Sequence, residues 1–135
     1  MVAPYVRYVH AKDYRVQFTD EGIRLVRCPT GDGAVPLKAL FAILAEHNEA
    51  MLAAIEIGAL EARHVKLLTP AWWEGYAPKQ ASELAACLLA ARQNRLADDA
   101  EWRTPWERNA DGEIAGYELA QMRRSIENMK SLGLM

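Results

Sequence analysis

A strict alternation of apolar and polar residues near the start of the chain constrains the fold more than any other feature. Tyr14, Val16 and Phe18 alternate with polar side chains, as in a strand with one buried face. Ile23 and Leu25 continue the alternation after an Asp-Glu-Gly sequence, which is typical of a turn. The pattern therefore predicts an antiparallel hairpin near the N-terminus.

Side-chain parity predicts the register of this hairpin. Pairing Phe18 with Ile23 and Val16 with Leu25 keeps the apolar side chains on one face and leaves a loop over residues 19–22. A shorter loop would place Phe18 opposite Arg24, so parity rejects it. The other face of the hairpin is then expected to carry Arg15, Gln17 and Arg24.

Two flanking segments have weaker patterns. Residues 2–9 are apolar on both faces and predict a further strand, with Pro4 tolerated only at an edge or at its beginning. Residues 29–33 (Pro-Thr-Gly-Asp-Gly) predict a loop before a helix. A phosphate-binding loop is the alternative interpretation, but the lysine and hydroxyl pattern of such loops is missing, so we favour a plain linker.

The hydrophobic periodicity of the rest of the chain predicts three main helices, at about 36–57, 78–97 and 114–132. The expected fold class is therefore α+β, with a two- or three-stranded N-terminal sheet. Gly58 and Gly133 are expected to end the first and last helices.

Asn48 falls within the apolar stripe of the first helix and is interpreted as a bonded core amide, a dimer contact or part of a site. Residues 59–68 are ambiguous between a helix extension and a short strand.

Two aromatic cassettes lie between the predicted helices. Residues 69–76 (Thr-Pro-Ala-Trp-Trp-Glu-Gly-Tyr) are echoed by residues 104–107 (Thr-Pro-Trp-Glu), and all four tryptophans fall between Trp72 and Trp106. Threonine before proline suits helix capping, which accounts for the repetition. Trp and Arg dominate many binding surfaces, so the candidate protein-binding residues are Trp72, Trp73, Trp102, Arg103, Trp106 and Arg108.

Basic residues provide an alternative surface. Arg15 and Arg24 on the hairpin, and Arg123 and Arg124 near the C-terminus, are candidate contacts to nucleic acid. The net charge of −2 means that such binding would have to come from a local patch.

Composition narrows the remaining possibilities. A chain of 135 residues predicts one domain, with a sheet region at 1–28 and a helical region at 36–132. The two cysteines, Cys28 and Cys87, are expected to be reduced and buried, as in a cytoplasmic protein. No stretch predicts a signal peptide or a membrane span, and no residue spacing indicates a metal site, another cofactor or a catalytic group.

The sequence therefore favours a non-enzymatic cytoplasmic accessory protein that binds another protein, as an inhibitor, an immunity protein or an assembly factor. The arginine and alanine content is typical of a bacterial or phage protein. A nucleic-acid-binding regulator is the alternative, and a small enzyme without a recognisable motif is the second. A homodimer is a further hypothesis, because the first predicted helix is apolar on two sides.

Overall fold

The computed structural model describes residues 2–78 and 80–135. Strands predominate in the N-terminal half, and two helices occupy the C-terminal half, which confirms the predicted α+β class. Two single-turn 3-10 segments lie at Ala3–Tyr5 and at Pro70–Trp73, and the second is called the Trp turn below. The strands and helices are β1 (Tyr8–Ala11), β2 (Asp13–Thr19), β3 (Gly22–Cys28), α1 (Leu37–His47), β4 (Leu52–Ile55), β5 (Arg63–Val65), α2 (Ala81–Gln93) and α3 (Asp111–Ser131).

The β2–β3 hairpin has the predicted register. Phe18 pairs with Ile23 and Val16 pairs with Leu25. Pairing continues to Thr19 and Gly22, so the connection is only two residues long. Gly22 has φ +150°, and a Cβ there would lie 2.3 Å from the Val65 carbonyl oxygen. The glycine therefore allows both the turn and the close approach of the next segment.

The predicted strand over residues 2–9 is wrong as a third strand of this sheet. The third strand is β5, which pairs antiparallel with β3 and resolves the ambiguity of residues 59–68. Residues 2–9 instead form the Ala3–Tyr5 turn and the start of β1, which pairs parallel with β4 in a separate two-stranded sheet.

The predicted helix over 36–57 is also wrong, because α1 ends at His47. Asn48 has extended backbone and its Nδ2 donates to the Val6 carbonyl oxygen at 3.0 Å. This bond ties the end of α1 to the chain before β1 and supports the bonded-amide interpretation. The apolar residues after it form β4, so the expected helical region at 36–132 contains two strands.

The other two predicted helices exist with different bounds. α2 is shorter than predicted at both ends, and α3 begins three residues earlier than predicted. Gly133 has φ +71° just beyond α3, in agreement with its predicted role as a stop. Thr69 makes no side-chain cap at the Trp turn; its hydroxyl donates to the Lys66 carbonyl oxygen at 2.9 Å.

A buried carboxylate organises the glycine-containing loop. Asp13 is only 2% exposed, and it accepts hydrogen bonds from the backbone N–H groups of Tyr14, Gly31, Gly33 and Val35 at 2.9–3.0 Å. The loop therefore gathers its N–H groups around an anion, but that anion belongs to the chain itself. The interpretation as a plain linker did not include this binding of Asp13. The interpretation as a phosphate-binding loop named the wrong anion.

A cluster of buried apolar residues covers one face of the three-stranded sheet. Val16, Ile23, Leu67 and Ala91 form this buried cluster, so α2 covers the face that parity assigned as apolar. Val26 of β3 is only 6% exposed and lies on the other face by strand alternation. α3 is fastened elsewhere: Ser125 Oγ accepts from the Thr30 N–H at 2.9 Å, and Asn128 Nδ2 donates to the Thr30 carbonyl oxygen at 3.1 Å.

Candidate functional site

The first aromatic cassette forms the Trp turn and is anchored to the core. Pro70 starts the turn, in keeping with its fixed φ. Trp72 and Trp73 pack against the buried cluster, and the Trp73 indole N–H donates to the Leu67 carbonyl oxygen at 2.9 Å. Both indoles are therefore held in fixed positions while remaining partly exposed.

Tyr76 extends this aromatic cluster to the surface. Its ring stacks on Trp72 with centroids 6.2 Å apart, and it meets Trp73 edge-on at 6.0 Å. Gly75 has φ +83°, which turns the chain between the tryptophans and the tyrosine. Since Tyr76 is 55% exposed, the cluster presents an aromatic rim to solvent.

A groove separates the aromatic cluster from α2. One cavity of about 430 Å³ lies between Tyr76 and the start of α2, and a second of about 310 Å³ lies between Trp72 and Cys87. Both are lined by Trp73 and Leu84, so they are two parts of one groove. Among the described residues that line it, Glu83 is the only acidic one, and its carboxylate accepts from the Gln80 N–H at 3.2 Å. We call this feature the aromatic groove.

Trp102, which precedes the second cassette, lies on the other side of the sheet. The Arg24 guanidinium lies 4.4 Å from the centroid of the Trp102 ring and donates to Gln17 Oε1 at 2.8 Å. By strand alternation, Arg24 and Gln17 face away from the core cluster that Trp72 and Trp73 contact. The structure therefore does not bring the four tryptophans onto one surface.

Thr104 and Glu107 stabilise the backbone around this cassette. The Thr104 N–H donates to Glu107 Oε2 at 2.9 Å and the Glu107 N–H to Thr104 Oγ1 at 3.3 Å, which is the reciprocal bonding of a capping box. The same side chains reach a distant segment, since Glu107 Oε1 accepts from the Ala62 N–H at 2.9 Å. Thr104 Oγ1 also donates to the Ala59 carbonyl oxygen at 3.2 Å.

The two arginines that flank the second cassette are bound by neighbouring carboxylates. Arg103 binds Glu101 through two nitrogens at 3.0 and 2.8 Å, and this hydrogen bonding lowers the pKa of Glu101 to about 2. Arg108 pairs with Glu113 at 2.7 Å. Trp106 is 45% exposed, so it is the most accessible indole of the predicted protein-binding set.

The predicted nucleic-acid residues fall into a different grouping from the one expected. Arg15 Nε donates to the Asp32 carbonyl oxygen at 2.9 Å, and Arg124 pairs with the Asp32 carboxylate at 3.2 Å. Arg15 of the hairpin and Arg124 of α3 thus both bind Asp32, while Arg24 is covered by Trp102. Arg123 is exposed.

The thiols differ in environment. Cys87 lies exposed on α2 beside the aromatic groove, so the prediction that both cysteines are buried is wrong for this one. Burial, together with the nearby Asp13 carboxylate, raises the pKa of the Cys28 thiol to about 12. Within residues 2–78 and 80–135, no three His, Cys, Asp or Glu side chains cluster as metal ligands would.

The aromatic groove contains residues that the sequence did not select. Leu84 and Cys87 belong to the predicted second helix, but nothing in the sequence paired that helix with the Trp turn. The available signal was the short connection between them, which keeps the turn and the helix close in space.

Comparison with known protein families, curated proteins and solved structures finds no match to this chain. None of the helices in the described ranges is both long enough and apolar enough to cross a membrane.

Proposed function

We propose that this protein acts by binding another protein, and that the aromatic groove receives a short apolar segment of the partner. The observation that carries the proposal is the continuity of the two cavities around Trp73 and Leu84. Rigid indole rings at the wall of a groove lose little conformational entropy on binding, and such residues supply much of the affinity at interfaces.

The role we propose is that of a cytoplasmic accessory protein of bacterial or phage type, acting as an inhibitor, an immunity protein or an assembly factor. The free thiols of Cys28 and Cys87 support a reducing compartment. The described walls of the groove are mainly apolar and aromatic, which suits apolar side chains of a partner.

A matched pair of variants tests the groove. Cys87→Arg would place a bulky cation in the groove, whereas Leu89→Arg changes an exposed residue two positions along the same helix. Residues two apart point about 200° apart on a helix, so Leu89 faces away from the groove. We expect affinity capture from the native host to lose its specific partner with Cys87→Arg and to keep it with Leu89→Arg.

Equal capture by both variants, or equal loss, would contradict the assignment of the groove. Circular dichroism and thermal melting of each variant establish that α2 remains folded. A second measurement is tryptophan emission, since partner binding in the groove should shift the emission of wild type and Leu89→Arg but not that of Cys87→Arg.

Nucleic-acid binding is the second candidate, supported by the convergence of Arg15 and Arg124 near exposed Arg123. It is weaker than the first because Asp32 neutralises part of that charge and Arg24 stacks on Trp102. A mobility shift that disappears in Arg123→Ala/Arg124→Ala would support it. A mobility shift that is unchanged in both Arg123→Ala/Arg124→Ala and Arg15→Ala/Arg24→Ala would contradict nucleic-acid binding by these arginines.

Catalysis by a small enzyme is the third proposal and has the least support. The Cys28 thiol stays protonated at neutral pH because its pKa is about 12, which makes it a poor nucleophile.

Self-association is a separate proposal. Leu40 and Ile43 are both exposed on α1, three residues apart on one side of the helix. Sedimentation of wild type and Ile43→Glu would test it, since a dimer through this side should dissociate in the variant.

A further inference from the structure

A second concave site lies at the end of the three-stranded sheet beyond the core cluster. This cleft has a volume of about 290 Å³ and is lined by Tyr14, Arg27 and residues 60–64. Unlike the described lining of the aromatic groove, its walls carry two arginines and a histidine. We call it the arginine cleft.

Strand pairing places both arginines on one face. Arg27 pairs with Tyr14 across the hairpin, and Arg63 pairs with Leu25 on the other side of β3. Directly paired residues share a face, so Tyr14, Arg27 and Arg63 lie on the face that carries Leu25. Arg27 and Arg63 are diagonal neighbours, a relation that separates residues by about 7–8 Å in antiparallel strands. A small ligand could therefore contact both guanidinium groups.

Arg27 lacks an internal partner in the described part of the chain. Its side chain is partly buried, yet no hydrogen bond or ion pair joins it to another residue of these ranges. Arg24, the neighbouring partly buried arginine, is by contrast bound to Gln17 and stacked on Trp102. None of the fully buried side-chain nitrogen or oxygen atoms described lacks a partner, so the free donors of Arg27 are not sealed from solvent. Arg27 lines the arginine cleft and also a small cavity beside Gly58.

The opposite wall of the cleft is held rigidly. The Ala62 N–H donates to Glu107, and the Ala59 N–H donates to Glu118 Oε1 at 3.0 Å. Glu107 and Glu118 are not among the residues that line the cleft, and of the described residues that do, Glu61 is the acidic one. Glu61 is exposed, so it offsets the charge of the two arginines only in part.

We propose that the arginine cleft binds a phosphate group, either free or carried on a small organic molecule, between the guanidinium groups of Arg27 and Arg63. Guanidinium presents planar paired donors that match the oxygens of phosphate. Two such groups suit a doubly charged anion, and Tyr14 adds an aromatic surface beside them. This site is independent of the partner-binding role proposed for the aromatic groove.

The test is a titration of isotopically labelled protein with sodium phosphate, followed by amide chemical shifts, against sodium chloride at equal ionic strength. We expect saturable shifts at residues 60–64, Tyr14 and Arg27 with phosphate alone. Phenyl phosphate distinguishes the two sources, since tighter binding than inorganic phosphate indicates an organic phosphate ligand and equal binding indicates the free ion.

Substitutions that should weaken phosphate binding are compared with one that should strengthen it. Arg27→Gln and Arg63→Gln should each weaken binding about tenfold or more, as expected for loss of a charge-assisted bond. Glu61→Gln should tighten it about two- to fivefold by removing repulsion. Arg92→Gln is the matched control, because Arg92 is an exposed arginine on α2 outside the cleft and should leave affinity unchanged.

Shifts that are equal with chloride, that do not saturate, or that weaken equally in Arg92→Gln would overturn the proposal. Acetate binding as tightly as phosphate would overturn the requirement for a doubly charged anion. If Arg27→Gln does not fold, the exposed positions Arg63 and Glu61 decide the matter, because their substitutions must change affinity in opposite directions.

Discussion

At the scale of single residues, the strongest constraint on the fold is the Asp13 carboxylate. Four backbone N–H groups converge on it, and a Cβ on Gly33 would lie 2.3 Å from its Oδ1. The loop between β3 and α1 therefore takes its shape from one side chain of the neighbouring strand.

Asp13→Ala should lower the free energy of unfolding by about 3 kcal/mol or more, because each buried donor left without an acceptor costs about 1–3 kcal/mol. Urea denaturation monitored by circular dichroism measures this. Asp98→Ala is the control, since Asp98 is an exposed residue paired only with Arg95. Equal stability of the two variants would contradict the role of Asp13.

The cysteines lead to a second prediction at this scale. A thiol with a pKa of about 12 is almost fully protonated at pH 8, so native Cys28 should resist alkylation while exposed Cys87 reacts. Mass spectrometry after iodoacetamide treatment should show one modified thiol per folded chain, and two after denaturation. Rapid double labelling of the native protein would exclude this environment for Cys28.

Burial of Cys28 also predicts alkaline destabilisation. Its folded pKa of about 12 lies above the ordinary thiol pKa of 9.0, so its contribution to stability is complete below pH 9 and is lost as pH rises toward 12. Unfolding free energies measured from pH 8 to pH 11 should fall less steeply in Cys28→Ala than in wild type. Parallel curves would show that Cys28 does not contribute to this dependence.

Asp13 also shows what sequence can reveal at this scale. Its polarity was visible, but a polar residue in an alternating strand predicts exposure, and only the folded loop supplies its four donors. Arg27 was missed for a similar reason, because its lack of a partner is a property of the surrounding chain and not of its own spacing.

At the scale of elements, local pattern predicted the hairpin but not the end of α1. Parity alone determined the hairpin register, since one face had to be apolar. The apolar pattern of residues 36–57 is compatible with one long helix, and also with a helix followed by a strand. The bond from Asn48 to Val6 joins segments 42 residues apart, and a local periodicity contains no information about it.

Alanine substitutions at two glycines, one within α3 and one just after it, should affect stability differently. A Cβ on Gly116 would meet nothing within 4 Å, so Gly116→Ala should stabilise the protein by about 0.5–1 kcal/mol through lower backbone entropy of the unfolded chain. Gly133 is equally open but has φ +71°, so Gly133→Ala should be neutral or destabilising. Thermal melting of both variants measures the difference, and a stabilising Gly133→Ala would contradict this account of the helix end.

At the scale of the whole molecule, the sheet separates the features that the sequence grouped together. All four tryptophans fall within a short stretch of sequence, yet Trp73 is anchored beside the core and Trp102 stacks on Arg24 of the opposite face. The sequence identifies the aromatic residues but not the face of the sheet that each one contacts. That face depends on how the chain passes around the sheet. Thr104 and Glu107 of the second cassette shape the arginine cleft instead, through the segment that leads into β5.

The two sheets should also differ in stability. The β2–β3–β5 sheet is covered by the core cluster and α2, whereas α1 packs mainly against the Ala3–Tyr5 turn, and Leu52 of β4 is 66% exposed. A region with little buried apolar surface opens at lower free energy than the core. Amides of α1 and β4 should therefore exchange with solvent much faster than those of β2 and β3.

Two buried leucines of equal exposure test this difference. Leu37 of α1 and Leu67 of the core cluster are both 5% exposed. Leu67→Ala should cost about 2–5 kcal/mol and accelerate exchange throughout the chain, because the core cluster supports global folding. Leu37→Ala should accelerate exchange mainly in α1 and β4 while β2 and β3 keep their protection. Uniform acceleration in both variants would mean that the molecule opens as one cooperative unit, and that α1 is more firmly attached than its packing indicates.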